Sequence, residues 1–375
     1  MKILVTTFDP PENVGGVEGR AIGYTRELAL RGHHVVAVSF GGNLSTPIRP
    51  PQGVVLYRFP SRVLLFPYSF AHLLRIARSL DIDTMFFLSG ATTLLGVMAL
   101  LYSRTSHTRS AIFLYGKDIL TAKKSPVQRV FLTLSEALTE VIATNSRYTR
   151  SLLPLFCATK TEILYPSVDE NSADFPALLN TDSKKTILTV GRLVKRKGID
   201  NLIRAFSLVI KDDSGVQLEI VGDGPERIRL ERLVAGLNLP LSVTFFGELR
   251  GSALYERYRR CDIFALPSKT LPGDVEGFGT VFLEAGLFGK PSVGTLSGGI
   301  PEAIIDGVTG ILVKEGDVSG LATALRRLLG DRELSRKLGD NARSRVIREF
   351  TWERGTDKLV SILERKTARQ VNRDS

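Results

Sequence analysis

Cysteine and histidine are scarce in this sequence of 375 residues. It contains two cysteines, Cys157 and Cys261, and four histidines, of which His33 and His34 are adjacent. None of them has the spacing typical of metal ligands, so the sequence predicts no metal site and no cofactor held by these residues. The two distant thiols are typical of a reduced, intracellular protein.

Several binding motifs and targeting segments are also missing. Neither half contains a strict G-x-G-x-x-G or G-x-x-x-x-G-K-[ST] sequence, which argues against a simple dehydrogenase and against a P-loop enzyme. The apolar run at residues 2–8 is too short for a signal peptide, and Asp9-Pro10-Pro11 ends it.

Long uncharged runs are rare, and the one at residues 84–103 could span a bilayer by length alone. Ser89 and Gly90 interrupt it, and two threonines dilute its hydrophobicity. We therefore interpret it as a buried strand at 84–88 followed by a buried helix at 91–102.

Basic residues are in excess: the formal net charge is +11 and the pI is about 9.7. Such a chain attracts anions. The sequence has no zinc knuckle, no aromatic RNA-binding motif and no basic tract typical of nucleic-acid binding. The charge therefore favours a nucleotide and an anionic membrane surface with a lipid acceptor as partners, and not nucleic acid.

Basic and apolar residues are interleaved within residues 58–78. The basic residues are Arg58, Arg62, Arg75 and Arg78. The aromatic and aliphatic residues between and beside them are Phe59, Leu64, Leu65, Phe66, Tyr68, Phe70, Leu73 and Leu74. This pattern suits docking on an anionic membrane. A core helix with solvated arginines is a slightly better explanation of the helix itself, and both interpretations stay open at this stage.

Strand-like and helix-like segments alternate along the whole chain, which predicts an α/β protein with parallel sheets covered on both faces. A polar linker at 171–183 separates a domain at 1–170 from a domain at 184–350. Ligands of such sheets bind beyond the carboxyl ends of the strands, so two Rossmann-like domains would share a cleft.

The most informative segment runs from Glu276 to Glu284, with the turn Gly277-Phe278-Gly279 between the two carboxylates. A glycine turn that opens a helix offers free backbone N–H groups and a positive dipole end, which suits a sugar diphosphate. The carboxylates can accept hydrogen bonds from sugar and ribose hydroxyls. Two glutamates at this spacing also occur by chance, so the interpretation depends on neighbouring motifs.

Two cations are predicted at the mouth of the second domain. Gly191 and Arg192 end a strand, and Lys197 follows five residues later. A lone basic run is usually a solvated loop, but its place at a strand's carboxyl end favours a role in binding. Lys195 and Arg196 are interpreted as surface charge.

Glycine turns end two other strands. Gly15 and Gly16 follow the first strand, where glycine lets the backbone approach a ligand closely. Gly222 lies in a tight turn, which by itself indicates no more than that.

These motifs resemble those of the retaining glycosyltransferase family 4, whose members have the GT-B fold of two Rossmann-like domains facing across a cleft. The resemblance covers nearly the whole chain and is strongest at 186–313. It includes Gly298-Gly299-Ile300-Pro301-Glu302 and Phe350-Thr351-Trp352. It implies that a helix at 351–366 returns to pack on the first domain. The subgroup that contains phosphatidylinositol mannosyltransferases is the most similar.

The resemblance also implies roles for single residues. Arg192 and Lys197 would hold the donor diphosphate without a divalent ion, Glu276 would complete the catalytic group, and Glu284 would bind the ribose. The other predicted donor contacts are Gly15, Gly16, Gly191, Gly222, Glu248, Leu249, Gly277, Phe278 and Gly279.

One segment departs from the family pattern. Many relatives have His-Gly-x-[Glu/Asp] after a strand of the first domain, where this chain has Tyr115-Gly116-Lys117-Asp118. Tyrosine can donate a hydrogen bond but is not a cation at neutral pH. Lys117 could supply the charge, and Tyr115, Lys117 and Asp118 are predicted to lie on the acceptor and sugar side.

The predicted function is a retaining, metal-independent hexosyltransferase, cytoplasmic and peripheral on the membrane. Mannose from GDP-mannose is the first choice of donor and a UDP-hexose the second, with a lipid-linked or glycan acceptor. A nucleotide-sugar epimerase is disfavoured by the paired glutamates. A non-catalytic nucleotide-sugar-binding subunit is the remaining alternative, and Tyr115 motivates it.

Overall fold

The computed structural model describes residues 1–7, 16–40, 50–59, 66–89, 93–106, 108–174 and 184–364. The chain forms two compact units: Met1–Pro166 together with Trp352–Ser375, and Ser167–Thr351. Each unit is built around its own parallel sheet with helices on both faces. The predicted α/β class with two Rossmann-like sheets is confirmed.

The sheet of the first unit has seven parallel strands in the order β3-β2-β1-β4-β5-β6-β7. They are β1 (Lys2–Thr7), β2 (His34–Phe40), β3 (Val54–Phe59), β4 (Thr84–Phe87), β5 (Arg109–Leu114), β6 (Val141–Thr144) and β7 (Thr161–Ile163). The helices before residue 166 are α1 (Gly16–Leu30), α2 (Phe66–Ser79), α3 (Leu94–Thr105), α4 (Gly116–Ala122), α5 (Pro126–Leu138) and α6 (Arg147–Ser151). Successive residues of β1 enter different clusters, Leu4 on one face and Ile3 and Val5 on the other, so the sheet is buried on both sides.

The sheet of the second unit has six parallel strands in the order β10-β9-β8-β11-β12-β13. They are β8 (Lys185–Val190), β9 (Val216–Val221), β10 (Val243–Gly247), β11 (Ile263–Leu266), β12 (Ser292–Thr295) and β13 (Gly310–Val313). The helices are α7 (Ile199–Val209), α8 (Arg227–Gly236), α9 (Gly251–Arg260), α10 (Thr280–Leu287), α11 (Ile300–Ala303), α12 (Val318–Gly330) and α13 (Arg332–Glu349). Aspartates cap the last two: Asp317 accepts from Gly320 N at 2.7 Å and Asp331 from Leu334 N at 2.9 Å.

The change of unit falls earlier than the sequence predicts. Residues 167–170 belong to the second unit, where Val168 N donates to Phe350 O at 2.8 Å. The first part of the predicted linker, residues 171–174, lies in the 3₁₀ turn Glu170–Asp174, whose Ala173 carbonyl accepts from Arg259 Nη2 at 3.0 Å. Residues 175–183 of the linker lie outside the described residues.

A final helix, α14 (Trp352–Glu364), returns to the first unit. Its buried Leu359, Ile362 and Leu363 join the core cluster that β1 and α1 share. The Trp352 ring meets the Tyr24 ring edge to face, with centroids 5.2 Å apart. Gly23 makes this possible, because a Cβ at that position would overlap the Trp352 indole.

The uncharged segment at 84–103 contains a strand and a separate helix, as predicted. β4 is buried along its whole length, and α3 begins at Leu94 with Thr93 as its N-cap. No helix in the described part of the chain is long and apolar enough to cross a bilayer.

Of the two interpretations of residues 58–78, the described part of the stretch supports the core helix. Phe59 ends strand β3, and Leu73, Ile76 and Ala77 of α2 are buried in the core of the first unit. Arg75 and Arg78 remain exposed, so α2 is a core helix with solvated arginines. Arg62 lies outside the described residues.

Candidate functional site

The predicted donor residues of the second unit lie mostly at one edge of its sheet. Because the sheet is parallel, every strand ends at this edge. The order β10-β9-β8-β11-β12-β13 places β8 beside β11, where the direction of winding reverses. Loops that follow two neighbouring strands diverge at such a point and leave a crevice.

Glu276 lies at the centre of a compact charged cluster beyond β8 and β11. Its Oε2 is 2.7 Å from Lys197 Nζ and 2.6 Å from Arg196 Nη1, and Ser268 Oγ donates to the same oxygen at 3.4 Å. Glu276 is 9% exposed and Lys197 is 9% exposed. The structure therefore brings together two of the predicted catalytic residues, Lys197 and Glu276.

Electrostatics keep this glutamate ionised. Burial by itself would raise the pKa of Glu276, but the charges of Lys197 and Arg196 and their hydrogen bonds outweigh it and lower the pKa to about 2. Around neutral pH Glu276 is therefore ionised, with both cations within 2.7 Å of its Oε2.

Arg196 was interpreted from the sequence as surface charge, and this is wrong. Its guanidinium is mostly buried, pairs with Glu276 and has its Nε 3.0 Å from Asp274 Oδ1. The sequence signal was available in Asp274 and Glu276, two acidic residues that can hold a neighbouring cation, but only the fold shows which cation they hold.

Glycines allow the loops around Glu276 to pack closely against one another. Gly198 has a φ of 64° and ends the 3₁₀ turn Lys195–Lys197, and a Cβ there would overlap Pro267 O. Gly299 N donates to Glu276 O at 3.0 Å. A Cβ on Gly298 or Gly299 would overlap the backbone of the 276–277 turn. The Gly298-Gly299 motif therefore acts as a support on which the Glu276 loop rests.

The helix that carries the second glutamate begins at Thr280, after Gly279 with a φ of 90°. Phe278, a predicted donor contact, is buried, and its ring lies 5.8 Å from the Phe350 ring. Its side chain therefore packs the core and is not placed to contact a donor.

Glu284 has a partner that the sequence did not indicate. The Tyr258 hydroxyl donates to Glu284 Oε2 at 2.6 Å, and Tyr258 is fully buried. Burial raises the pKa of Glu284, and the hydrogen bond from Tyr258 and the charge of Lys197 oppose that rise. Tyr258 thus fixes one carboxylate oxygen and sets the direction of the other.

Arg192 and the glycines beside it lie at the same edge. Gly191 N donates to Val221 O at 2.9 Å, and a Cβ on Gly222 would overlap Gly191 O, so the two turns touch. Arg192 is exposed, and no side chain among the described residues pairs with it. It is therefore free to take an anionic ligand.

The four remaining residues predicted to contact the donor do not belong to this group. Glu248 and Leu249 follow β10, the outermost strand, where Glu248 is exposed and lies 3.7 Å from Arg250. Gly16 begins α1 in the first unit, and Gly15 lies outside the described residues.

The predicted acceptor-side residues lie at the carboxyl end of β5 in the first unit. Tyr115 precedes α4, and its backbone N donates to Asp118 Oδ2 at 3.0 Å, which fixes the first turn of that helix. Lys117 is exposed. Asp118 is therefore engaged in capping a helix, whereas Lys117 can meet a ligand.

The second unit also contains a cavity of about 530 Å³, which none of the residues of the Glu276 cluster lines. Its lining residues are Lys195, Asp200, Glu226, Arg229, Lys269 and Leu271. Within the ranges that the structure describes, no group of three or more histidine, cysteine or carboxylate side chains could hold a metal ion.

Two protein families match the chain, one on each half. The family described as "Glycosyltransferase Family 4" matches residues 14–172, and "Glycosyl transferases group 1" matches residues 170–345.

Three similar proteins extend this match over the full length. A GDP-mannose-dependent alpha-(1-6)-phosphatidylinositol monomannoside mannosyltransferase of Mycolicibacterium smegmatis is 29% identical, over 98% of this chain and 100% of its own. The enzyme of Corynebacterium glutamicum that acts on the monoacylated form is 31% identical, over 97% and 98%. Sucrose-phosphate synthase of Thermosynechococcus elongatus, a solved structure, superposes with a TM-score of 0.80 over both full chains at 22% identity.

Proposed function

The chain belongs to glycosyltransferase family 4 and, from that premise, we propose that it transfers mannose from GDP-mannose to a lipid-linked or glycan acceptor. The observation that supports GDP-mannose as the donor is the match to two mannosyltransferases described as GDP-mannose-dependent. The match covers nearly the full length of both chains. A UDP-hexose is the alternative donor.

The Glu276 cluster supports a direct role in breaking the bond between the sugar and the diphosphate. Negative charge grows on the leaving diphosphate as this bond breaks, and fixed cations stabilise it most in the transition state. Lys197 supplies one cation, held in place by Glu276 at 2.7 Å, and the exposed Arg192 supplies another. Two protein cations can do this without a divalent ion, and we propose that the enzyme is metal-independent.

Glu284 is proposed to hold the ribose of the nucleotide. It lies in the second turn of α10, and Tyr258 already occupies one of its oxygens. The other oxygen can accept from a ribose hydroxyl. We further propose the retaining outcome, in which the sugar keeps its anomeric configuration.

A surface on α5 supports an acceptor that resides in a membrane. Val127, Val130 and Leu134 follow one another at helical spacing and are 63%, 56% and 41% exposed. We call these three residues the α5 stripe. Four exposed basic residues lie on α5 and on the neighbouring segment before it, namely Lys117, Lys123, Lys124 and Arg129. An apolar stripe accompanied by basic residues fits an anionic bilayer, into which the apolar side chains enter while the cations meet head groups.

The function is tested by incubating the full-length protein with GDP-mannose, UDP-glucose or ADP-glucose, with and without membrane lipid extract. The expected result is release of GDP from GDP-mannose and a mannosylated product by mass spectrometry, with equal rates in EDTA. Preference for UDP-glucose would establish the alternative donor, and dependence on a divalent ion would exclude the metal-free scheme. Binding of a nucleotide sugar with neither hydrolysis nor transfer would establish a non-catalytic subunit.

A further inference from the structure

An ion pair outside the Glu276 cluster joins the two loops that follow β8 and β11. Asp200 lies in the first turn of α7, and Lys269 follows β11. Lys269 Nζ donates to both carboxylate oxygens of Asp200, at 2.9 Å to Oδ1 and 3.1 Å to Oδ2. The two side chains are only 25% and 16% exposed. Exposed ion pairs contribute little, but a shielded pair with two charged hydrogen bonds fixes the positions of both partners.

The turn that carries Lys197 is held against the same loop at two further points. Lys269 N donates to Arg196 O at 2.8 Å. Gly198 lies so close to Pro267 O that a Cβ there would overlap it. Together with the ion pair, these contacts fix the backbone on both sides of Lys197.

The loop after β11 also reaches the carboxylate that holds the Lys197 ammonium. Ser268 is fully buried, and its Oγ lies 3.4 Å from Glu276 Oε2. Lys197 Nζ lies 2.7 Å from the same oxygen. Adjacent residues of one loop therefore contact both partners, Ser268 the carboxylate and Lys269 the turn that bears the ammonium.

We propose that Asp200 and Lys269 are positioning residues for Lys197. They act by keeping its ammonium at the place where negative charge grows on the leaving diphosphate. Reaction rates depend steeply on such placement, and a displacement of about 1 Å can lower the rate by about 100-fold. The inference rests on the proposed function, which assigns Lys197 to the leaving diphosphate.

Steady-state kinetics of the full-length protein with GDP-mannose and membrane lipid extract provide the test. Lys269→Met keeps the length of the side chain and removes its charge, and Asp200→Asn keeps the shape of its side chain. Each should lower kcat by about 10- to 100-fold and change KM for the donor by less than about twofold. Lys269→Arg can still donate to both oxygens of Asp200 and should stay within about threefold of wild type.

A second background separates positioning from a general loss of folded protein. A smaller folded fraction would lower kcat by the same factor in any background. If the pair acts through Lys197, Lys269→Met should lower kcat by less than about twofold once Lys197→Ala is present. Should Lys269→Met fail to fold, Asp200→Asn in the same two backgrounds gives the answer.

The matched control is Lys185→Met. Lys185 begins β8, at the opposite edge of the same sheet, and its Nζ lies 3.2 Å from Asp213 Oδ2. Its loss also removes a lysine–aspartate pair from the second unit, and kcat should stay within about twofold of wild type.

Two outcomes would overturn the positioning role: a kcat for Lys269→Met within twofold of wild type, or an equal loss with and without Lys197→Ala. Failure of the proposed function looks different, because the wild-type protein would then turn over no nucleotide sugar, and this inference would fall with it. If UDP-glucose is the donor, the same comparison is made with UDP-glucose.

Discussion

At the residue scale, Lys197 is the side chain on which turnover should depend most. Its ammonium is held by Glu276 at 2.7 Å and is aligned before a donor arrives. Losing one such fixed charge typically lowers kcat by about 100-fold or more. We expect Lys197→Ala to lower kcat by this factor and to change KM for GDP-mannose much less.

The control for Lys197 lies in the same turn. Lys195 is exposed, so Lys195→Ala should stay within about twofold of wild type, as surface substitutions usually do. If Lys197→Ala raised only KM, Lys197 would be a ground-state binding residue and not a group that stabilises the leaving diphosphate.

The ionisation of Glu276 links the site to stability. Its pKa is about 2 in the fold against 4.5 for the free side chain. Because the folded pKa is the lower one, the ionised carboxylate stabilises the fold above pH 4.5, and this stabilisation is lost as the pH falls toward 2. Glu276→Gln should therefore lower the free energy of unfolding by about 3 kcal/mol at pH 7.

The pH dependence of that difference is the diagnostic measurement. In urea unfolding followed by circular dichroism, the gap between wild type and Glu276→Gln should narrow steadily between pH 4.5 and the lowest pH at which both proteins fold. A gap of constant size would mean that the ion pairs with Lys197 and Arg196 do not stabilise the fold.

Glu284 should control affinity for the nucleotide. We expect Glu284→Ala to weaken GDP binding by about 1.5–3 kcal/mol, the range for a hydrogen bond to a charged group. Tyr258→Phe removes only the hydroxyl that orients Glu284, so its effect should be smaller and of the same sign. Calorimetry with GDP measures both, and unchanged affinity in Glu284→Ala would exclude the ribose assignment.

At the scale of elements, the contact between α1 and α14 depends on Gly23. A Cβ at this position would overlap the Trp352 indole, whereas a Cβ at Gly19, one turn earlier, would meet nothing within 4 Å. Gly23→Ala should therefore destabilise the protein by about 1–3 kcal/mol through overpacking. Gly19→Ala should stabilise it by roughly 0.5–1 kcal/mol, as expected in a helix interior.

Thermal melts of the two glycine variants, measured side by side, separate packing from helix propensity. Trp352→Ala should lower the free energy of unfolding less in the Gly23→Ala background than in the wild type, because in that background it also removes the clash. If the two truncations cost the same, Trp352 and Gly23 are not coupled.

At the scale of the whole molecule, the α5 stripe should decide membrane association. Changing Val127, Val130 and Leu134 to serine should lower the affinity for anionic liposomes by about tenfold or more, since the apolar area that enters the bilayer is lost. GDP affinity should stay unchanged, because none of the residues predicted to contact the donor belongs to the stripe. Cosedimentation at low and high salt measures the effect.

Exposed apolar residues of the second unit supply the control for the stripe. Ile228 and Leu241 are 63% and 95% exposed, and their change to serine should leave liposome binding as it is. Equal losses of liposome affinity in both variants would indicate nonspecific hydrophobic binding. If the wild-type protein does not bind anionic liposomes at low salt, a soluble saccharide acceptor would be favoured.

The sequence by itself determined the α/β class, the two parallel sheets and the edge at which the site lies, because these follow from local pattern. Alternating apolar strands and helices require sheets covered on both faces, and a strand that ends in Gly191-Arg192 places its cation at the carboxyl edge. The sequence also predicted the segment of two glutamates and a glycine turn, because a turn and the helix after it lie close together along the chain.

Only the tertiary structure decided which side chains meet. Glu276 pairs with Lys197 and Arg196, two of the three consecutive basic residues, and Tyr258 forms a hydrogen bond with Glu284, 26 positions away in the chain. Likewise, Leu73, Ile76 and Ala77 of α2 are buried in the core, whereas Val127, Val130 and Leu134 of α5 are exposed. Periodicity shows that a helix has an apolar face, but what covers that face depends on elements distant in the chain, so such contacts and burials emerge only from the assembled fold.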